Sequence, residues 1–192
     1  MTGLLDRREV TALLLADRGD LLVVAGLGAP CWDVAAAGDH DLNFGLWGAM
    51  GGAAMVGLGL AMAQPERRVL VITGDGEQLM GLGSLSTIGV AAPNNFAIAV
   101  LDNERYGETG MQATATASST DLAAVADACG FVATVTADEP SEVERAIAMC
   151  RRETGPVMAV FKISDAIPPQ VVPPRDGRLL VSRFRTALGF DG

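Results

Sequence analysis

Two short apolar runs, each followed by acidic or amide side chains, most constrain what this chain can fold into. The runs are Arg68–Thr73 and Phe96–Leu101. Short apolar runs of this kind are typical of buried strands in a parallel sheet. Asp75 follows the first run and Asn103 follows the second. Because parallel strands end at the same edge of a sheet, we expect both side chains at one crevice, where open α/β sheets bind ligands.

Apolar runs alternate with segments of helical length along the whole chain. The predicted strands are Leu21–Ala25, Val69–Thr73, Phe96–Leu101, Phe131–Val135 and Val157–Ile163. The predicted helices are Asp6–Asp17, Gly48–Ala63, Gln78–Ala91, Asp121–Cys129, Ser141–Glu153 and Leu179–Leu188. This alternation predicts an α/β fold of three layers, a mostly parallel sheet with helices on both faces.

The length of 192 residues fits one domain with a sizeable core. We therefore treat residues 1–192 as a single domain, in which 164–192 is a proline-rich C-terminal extension that ends in a short helix. Prolines hold the chain extended, so this extension is expected to cross the surface and to wrap a partner chain.

The segment Gly74-Asp75-Gly76 has the residue types that a metal-bound phosphate needs. Mg²⁺ prefers hard oxygen ligands, usually one or two carboxylates together with phosphate oxygens and water. The glycines let the backbone approach a ligand, and the N–H groups that open the next helix can donate to phosphate. Together with Asn103, this segment predicts a metal-diphosphate site.

The spacing from Gly74-Asp75-Gly76 to Asn103 resembles the cofactor signature of thiamine diphosphate-dependent enzymes. The resemblance implies thiamine diphosphate and Mg²⁺ as cofactors. It implies as metal ligands Asp75, the Asn103 amide oxygen and the Arg105 backbone carbonyl. It places Gly74, Gly76, Glu77, Tyr106 and Gly107 around the cofactor. The chain departs from the usual pattern with Asp102 and with Arg105, which the carbonyl role tolerates.

A second motif, Gly45-Leu46-Trp47-Gly48, is similar to the Gly-Ser-Met-Gly loop of the same family. The resemblance implies that the Gly45 carbonyl binds the aminopyrimidine and that Trp47 wedges the cofactor into a bent shape, with Leu46 between them. An indole is bulkier than the Met, Ile or Leu that is usual at this position. A purely structural helix after this loop, without cofactor contact, is the alternative.

The segments Tyr106–Gln112, Thr120–Leu122 and Gly130–Phe131 resemble the branch that contains sulfopyruvate and phosphonopyruvate decarboxylases. Complete enzymes of this kind carry a separate pyrimidine-binding domain with an activating glutamate. The resemblance therefore implies the diphosphate-binding subunit of a two-subunit 2-oxo acid decarboxylase, with a pyrimidine-binding partner subunit. A subunit of an acetolactate synthase-like carboligase and a non-catalytic regulatory α/β subunit are the alternatives.

Several polar residues near these motifs have two interpretations each. Glu77 would repel the diphosphate unless it turns away or pairs with a cation, and it could equally be an acid favoured by a helix N-terminus. Asp102 could orient the metal ligands or only form a turn. His40 could donate a proton or anchor a carboxylate, or it could be a solvated loop histidine whose pKa Asp39 and Asp41 raise.

The residues that follow the metal loop are candidates for the substrate pocket. They are Glu108, Thr109 and Gln112. Thr109 and Gln112 could also serve only to close the next turn.

Charge and hydropathy exclude other classes of protein. The formal net charge is −9, which disfavours nucleic acid. Leu42–Gln64 contains no charged residue, but six glycines interrupt it, so we reject a membrane helix. The chain begins without a signal-peptide core, and its cysteines at 31, 129 and 150 have no metal or redox spacing. We therefore expect a cytoplasmic protein with reduced thiols.

Overall fold

A computed structural model describes residues 5–190. The strands are β1 (Leu22–Ala25), β2 (Asn43–Gly45), β3 (Val69–Gly74), β4 (Phe96–Asp102), β5 (Arg105–Tyr106), β6 (Gln112–Ala113), β7 (Ala133–Ala137) and β8 (Val157–Lys162). The helices are α1 (Arg7–Leu15), α2 (Ala29–Ala36), α3 (Ala53–Ala63), α4 (Asp75–Met80), α5 (Ser84–Ala91), α6 (Leu122–Ala128), α7 (Pro140–Arg152) and α8 (Gly177–Ala187). Short 3₁₀ turns lie at Gly107–Thr109 and Ala115–Ala117.

Within these residues, six strands form one parallel sheet in the order β2-β1-β3-β4-β8-β7, and β5 and β6 form a small antiparallel hairpin. The chain runs outward from β1 to β2 and then returns to β3 on the other side of β1. Such a reversal of strand order leaves a crevice at the carboxyl ends of the strands on either side of it. The topology therefore places the ligand-binding edge at the ends of β1, β3 and β4.

Helices cover both faces of the sheet, as the predicted α/β class requires. One buried cluster joins α1, α2 and α7 to alternate residues of the strands. The other cluster joins α3, α5, α6 and α8 to the remaining strand residues. Since residues of one strand alternate between the two clusters, the sheet is the middle layer of three. The predicted fold class is confirmed.

Two predicted helix boundaries were wrong because glycines bring two loops together. The helix predicted from Gly48 starts only at Ala53, and residues 48–52 are a loop in which Gly51 has φ +79°. The predicted Gln78–Ala91 helix is split into α4 and α5 by a turn that contains Gly81. A Cβ on Gly81 would lie 2.5 Å from the Gly51 carbonyl oxygen, so this contact requires glycine.

Helix α2, strand β2 and the β5–β6 hairpin were not predicted. Each is short, and the two strands of the hairpin have only two residues apiece. The last helix, predicted over Leu179–Leu188, begins two residues earlier, after Asp176. The Asp176 carboxylate accepts hydrogen bonds from the backbone N–H of Arg178 at 2.9 Å and of Leu179 at 3.2 Å, which caps the helix. Among residues 5–190, no helix is long and apolar enough to cross a membrane.

Helix α3 contains two glycines whose environments differ sharply, which gives a matched pair of variants. A Cβ on Gly57 would lie 2.3 Å from Val71 and 2.9 Å from Phe96, whereas a Cβ on Gly59 would meet nothing within 4 Å. We expect Gly57→Ala to lower the free energy of unfolding by about 1–3 kcal/mol through overpacking. Gly59→Ala should raise it by about 0.5–1 kcal/mol through helix propensity. Urea unfolding of both variants measures this, and equal effects would contradict the packing described.

Candidate active site

The carboxyl edge of the sheet contains a cleft of about 350 Å³. All predicted residues of the metal-diphosphate motif line it: Gly74, Asp75, Gly76, Glu77, Asn103, Arg105, Tyr106 and Gly107. The start of α2, the start of α1 and the chain after β8 complete its walls. The structure therefore brings together two motifs that are separated in the sequence by more than twenty residues.

Asp75 is a buried carboxylate that two threonines hold. Its Oδ2 accepts hydrogen bonds from Thr114 Oγ1 at 2.6 Å and from Thr116 Oγ1 at 3.3 Å. The residue is only 2% exposed. Burial raises the pKa of Asp75 to about 6, against the opposing effect of the Thr114 hydrogen bond. Removing a carboxylate from water in this way is favourable only when a cation or donors compensate for the lost hydration.

Asp102 extends this network to the neighbouring strand. The single hydroxyl proton of Thr116 is shared between Asp75 Oδ2 and the nearer Asp102 Oδ1, which lies 2.8 Å from Thr116 Oγ1. Lys162 Nζ donates to Asp102 Oδ2 at 2.9 Å. The backbone N–H of Glu104 bonds the same carboxylate at 3.0 Å. Asp102 therefore shapes the turn after β4 and also shares Thr116 with Asp75. Orientation of metal ligands by Asp102 remains a prediction.

Sequence reasoning missed the two threonines. Both hydroxyls of Thr114-Ala115-Thr116 lie near Asp75. The residue types of this segment do not indicate a contact with a residue about 40 positions earlier in the sequence.

The predicted metal ligands are hard oxygen donors of the type that suits Mg²⁺. Asp75, Asn103 and Arg105 all line the cleft, and the Asn103 Oδ1 accepts from the Arg105 backbone N–H at 3.1 Å. Between residues 5 and 190, no group of three or more His, Cys, Asp or Glu side chains could hold a metal ion. One carboxylate, one amide and one carbonyl would thus need phosphate oxygens and water to complete an octahedral shell.

Close contacts at Gly76 and Gly28 shape the floor and mouth of the cleft. A Cβ on Gly76 would lie 2.6 Å from the Tyr106 ring, so the tyrosine packs directly on the glycine that follows Asp75. A Cβ on Gly28, whose φ is +73°, would lie 2.9 Å from Glu108 Oε1. Glu108 lines the cleft, as predicted for a pocket residue. These glycines leave room for the side chains of the β5 segment to reach the loop after β1.

The Glu77 carboxylate is bonded to groups of the protein itself, although the residue also lines the cleft. Its Oε2 accepts a hydrogen bond from Thr73 Oγ1 at 2.9 Å, and its Oε1 accepts from the Ala53 backbone N–H at 3.3 Å. Burial raises the pKa of Glu77, and these hydrogen bonds oppose the rise. A Cβ on Gly26 would lie 1.8 Å from Oε2, so only glycine fits there. Glu77 therefore fastens the loop before α3 to β3.

The second predicted motif lies beside the cleft. Gly45, at the end of β2, pairs with Ala25, and the backbone N–H of Leu46 donates to the Ala25 carbonyl at 2.9 Å. Neither Gly45, Leu46 nor Trp47 lines the cleft that contains Asp75, whereas Met50 from the same loop does. The cofactor contacts of Gly45, Leu46 and Trp47 remain predictions.

Trp47 packs against residues from two distant segments. Its ring meets Trp32 edge to face, with ring centroids 4.9 Å apart, and the Arg175 guanidinium lies 4.5 Å from its ring centroid. Trp32 in turn lines the cleft. The indole N–H groups of both tryptophans are buried and have no hydrogen-bond partner within residues 5–190. These are unsatisfied donors beside the cleft.

The proline-rich segment lies along this chain's own cleft. Ile163, the residues from Asp165 to Pro168, and Gln170 line the cleft, and Arg8 donates to the Pro169 carbonyl at 2.8 Å. Contacts with its own helix α1 therefore position the segment. Wrapping of a partner remains a prediction, as does the division of the chain at residue 164.

His40 is an exposed loop residue outside the cleft. Its Nδ1 accepts a hydrogen bond from the Leu42 backbone N–H at 3.1 Å. The predicted rise of its pKa was wrong, because lost hydration and the positive charge of Arg18 lower the pKa of His40 and outweigh Asp39 and Asp41. The interpretation as a structural loop histidine fits this geometry.

Thr109 and Gln112 bond each other across the turn before β6. Thr109 Oγ1 and Gln112 Oε1 are 2.9 Å apart, and Gln112 Nε2 donates to the Thr109 carbonyl at 2.9 Å. The Gln112 side chain therefore stabilises the turn before β6, while Thr109 also lines the cleft.

Fold and site together define a doubly wound α/β protein whose ligand cleft lies at the strand-order reversal. The family described as "Thiamine pyrophosphate enzyme, C-terminal TPP binding domain" matches residues 28–161. The chain belongs to this family, and the resemblance to thiamine diphosphate-dependent enzymes is confirmed. Thiamine diphosphate is the cofactor that this domain binds.

Similar proteins belong to the predicted branch. The chain is 38% identical to sulfopyruvate decarboxylase subunit beta of Methanothermobacter thermautotrophicus, over 94% of each chain. It is 42% identical to the subunit of the same name from Methanocaldococcus jannaschii, over 65% of each chain. With phosphonopyruvate decarboxylase of Streptomyces viridochromogenes it shares 42% identity over 75% of this chain, which is 36% of that protein's length.

A solved structure shows the same fold. Benzoylformate decarboxylase from Polynucleobacter necessarius superposes with a TM-score of 0.70 at 19% identity. The superposition covers 86% of this chain and 34% of that one. At this identity the match concerns the fold alone.

The burial of Asp75 has a consequence for stability that can be measured without any ligand. Because the pKa is about 6 in the folded chain and 3.8 in the reference state, its stabilising effect is complete below about pH 4 and is lost as the pH rises through 6. We expect Asp75→Asn to be more stable than the wild type by about 1–3 kcal/mol at pH 8. The gain should shrink towards zero at about pH 4.

Urea unfolding at both pH values, without Mg²⁺ or cofactor, measures this difference. A gain that is the same at both pH values would show that the carboxylate is not the destabilising group.

Proposed function

We propose that this chain is the diphosphate- and Mg²⁺-binding subunit of a two-subunit thiamine diphosphate-dependent 2-oxo acid decarboxylase. The observation that carries the proposal is the convergence of Asp75, Asn103 and Arg105 on one cleft. Three relatives are named subunit beta, and one of them matches over 94% of its own length. These names support a carboxy-lyase and a second kind of subunit.

The protein's share of the chemistry is positioning. Thiamine diphosphate, when bound, supplies the electron sink that decarboxylation of a 2-oxo acid requires. Asp75, Asn103 and the Arg105 carbonyl would hold Mg²⁺, with Thr114 and Thr116 fixing the Asp75 carboxylate. Gly76 would let the backbone approach the diphosphate.

The loop before α3 supplies the second part of the proposed site. Glu77 anchors this loop at Ala53, so the residues from Gly45 to Met50 have a fixed position relative to Asp75. Gly45 and Trp47 would support the cofactor from this side. The indole N–H groups of Trp32 and Trp47 are buried beside the cleft without a hydrogen-bond partner among residues 5–190.

The partner subunit would bind the pyrimidine and contribute the activating glutamate. A cytoplasmic location belongs to the same proposal, and the three cysteines are free thiols. A carboligase subunit would use the same cofactor site, whereas a regulatory subunit would not need the buried Asp75 carboxylate. The names of the relatives favour the decarboxylase over both alternatives.

The test uses the chain assembled with a pyrimidine-binding partner. Calorimetry should detect thiamine diphosphate binding that depends on Mg²⁺. Asp75→Ala should weaken it by at least about 10- to 100-fold, since loss of an outer-shell group alone often costs as much. Asp20→Ala, which removes an exposed carboxylate elsewhere, is the matched control. A CO₂-release screen over 2-oxo acids then tests the reaction.

Each outcome separates the candidate functions. Cofactor binding with CO₂ release supports the decarboxylase. A condensed product that appears only with an added aldehyde or ketone acceptor supports the carboligase. An assembled complex that binds no thiamine diphosphate would refute both enzymatic functions.

A further inference from the structure

Two arginines at the start of α1 lie on the wall of the cleft and share one carboxylate. Arg7 Nε donates to Asp33 Oδ2 at 2.7 Å, and Arg8 Nε donates to Asp33 Oδ1 at 2.6 Å. The Asp33 side chain is 1% exposed. Two guanidinium groups carry two positive charges against one negative charge. The Arg7–Asp33–Arg8 cluster therefore keeps one net positive charge at the cleft.

Arg7 has donors that residues 5–190 do not use. Its side chain is 9% exposed, and within residues 5–190 its terminal amino groups make no hydrogen bond. Arg7 lines the cleft, and its terminal nitrogens are not among the fully enclosed atoms of residues 5–190 that have no hydrogen-bond partner. Arg8 differs, because one of its terminal groups donates to the Pro169 carbonyl. A nearly buried guanidinium with free donors is prepared to bind an anion.

Most charged side chains in the rest of the cleft are acidic, so the Arg7–Asp33–Arg8 cluster is where an anion can be stabilised. The basic side chains that line the cleft are Arg7, Arg8 and Arg105, and the acidic ones are Asp33, Asp75, Glu77, Glu108 and Asp165. Arg105 is partly engaged, since it donates to the Glu104 carbonyl at 3.2 Å. An anionic group of a substrate would be repelled over most of this surface. The Arg7 side is where it would be stabilised.

We infer that the Arg7–Asp33–Arg8 cluster is the subsite for the acidic group that the substrate retains after losing CO₂. This inference rests on the proposed function. A strong ion pair with the departing carboxylate would stabilise the substrate more than the transition state, and so would slow the reaction. A retained sulfonate or phosphonate keeps its charge throughout, and a guanidinium fork can bind two of its oxygens. The cluster therefore selects 2-oxo acids with a second acidic group.

The test compares substrates that differ only in the second acidic group. In the assembled complex, Arg7→Met should lower kcat/KM for sulfopyruvate or phosphonopyruvate by about 10- to 100-fold, as expected for lost hydrogen bonds to a charged group. For pyruvate it should change kcat/KM by less than about 3-fold, since that substrate has no group to lose. Arg7→Lys keeps the positive charge but loses the two parallel N–H donors of the guanidinium, so its kcat/KM for the dianionic substrates should lie between those of Arg7→Met and the wild type.

Controls separate this role from others. Arg178→Met removes an exposed arginine outside the cleft and should change neither substrate's kcat/KM. Thermal unfolding of each complex shows whether it is folded. If Arg7→Met lowered kcat/KM equally for pyruvate and the dianionic acids, the inference would be overturned. Weaker binding of thiamine diphosphate by Arg7→Met would also overturn it, because Arg7 would then contact the diphosphate.

A binding measurement distinguishes failure of the inference from failure of the proposed function. If the wild-type complex releases CO₂ from no 2-oxo acid, the proposed function fails. Calorimetry with sulfoacetate and acetate then probes the subsite without turnover. We expect sulfoacetate to bind more tightly than acetate and Arg7→Met to abolish the difference. Equal binding of the two acids by the wild type would refute the subsite.

Discussion

The burial of the Asp75 carboxylate at the end of β3 is the constraint on which the site depends. Its hydrogen bonds to Thr114 and Thr116 come from the segment after the hairpin, so the carboxylate joins two parts of the chain. Thr116 also contacts the Asp102 carboxylate at the end of β4. Lys162 at the end of β8 compensates the Asp102 charge. Three adjacent strand ends are therefore held in register by charged groups as well as by the backbone ladder.

No protein cation contacts Asp75 among the described residues, so no positive charge opposes the burial that raises the pKa of Asp75 to about 6. Lys162 bonds Asp102 and Glu104 instead. A divalent ion at Asp75 would supply the missing positive charge and would lower that pKa. The same feature that destabilises the ligand-free chain at neutral pH therefore favours metal binding, which is a common compromise at functional sites.

The sequence allowed the strands next to the site to be predicted well, because β3 and β4 are continuous apolar runs with polar residues directly after them. The same reasoning predicted that Asp75, Asn103, Arg105 and Tyr106 lie together, and all four line the cleft; their roles towards a cofactor remain predictions. The helix α2 was missed, and so were the partners that reach the site from far away. Local patterns hold no information about contacts between α1, Asp33 and Pro169, where one bond spans 161 positions. These long-range contacts depend on how the elements pack in three dimensions.

Helix α1 and the chain after β8 both line the cleft, which bears on how the site is completed. Helix α1 supplies Arg7 and Arg8, and the chain after β8 supplies Asp165 and Pro168. The Arg8 bond to Pro169 ties these two segments together. On the opposite side, the loop before α3 contributes Met50 and is fastened by Glu77 to β3. Both walls are thus built by this chain, so contacts to the retained end of a substrate can come from it even when the activating group comes from a partner.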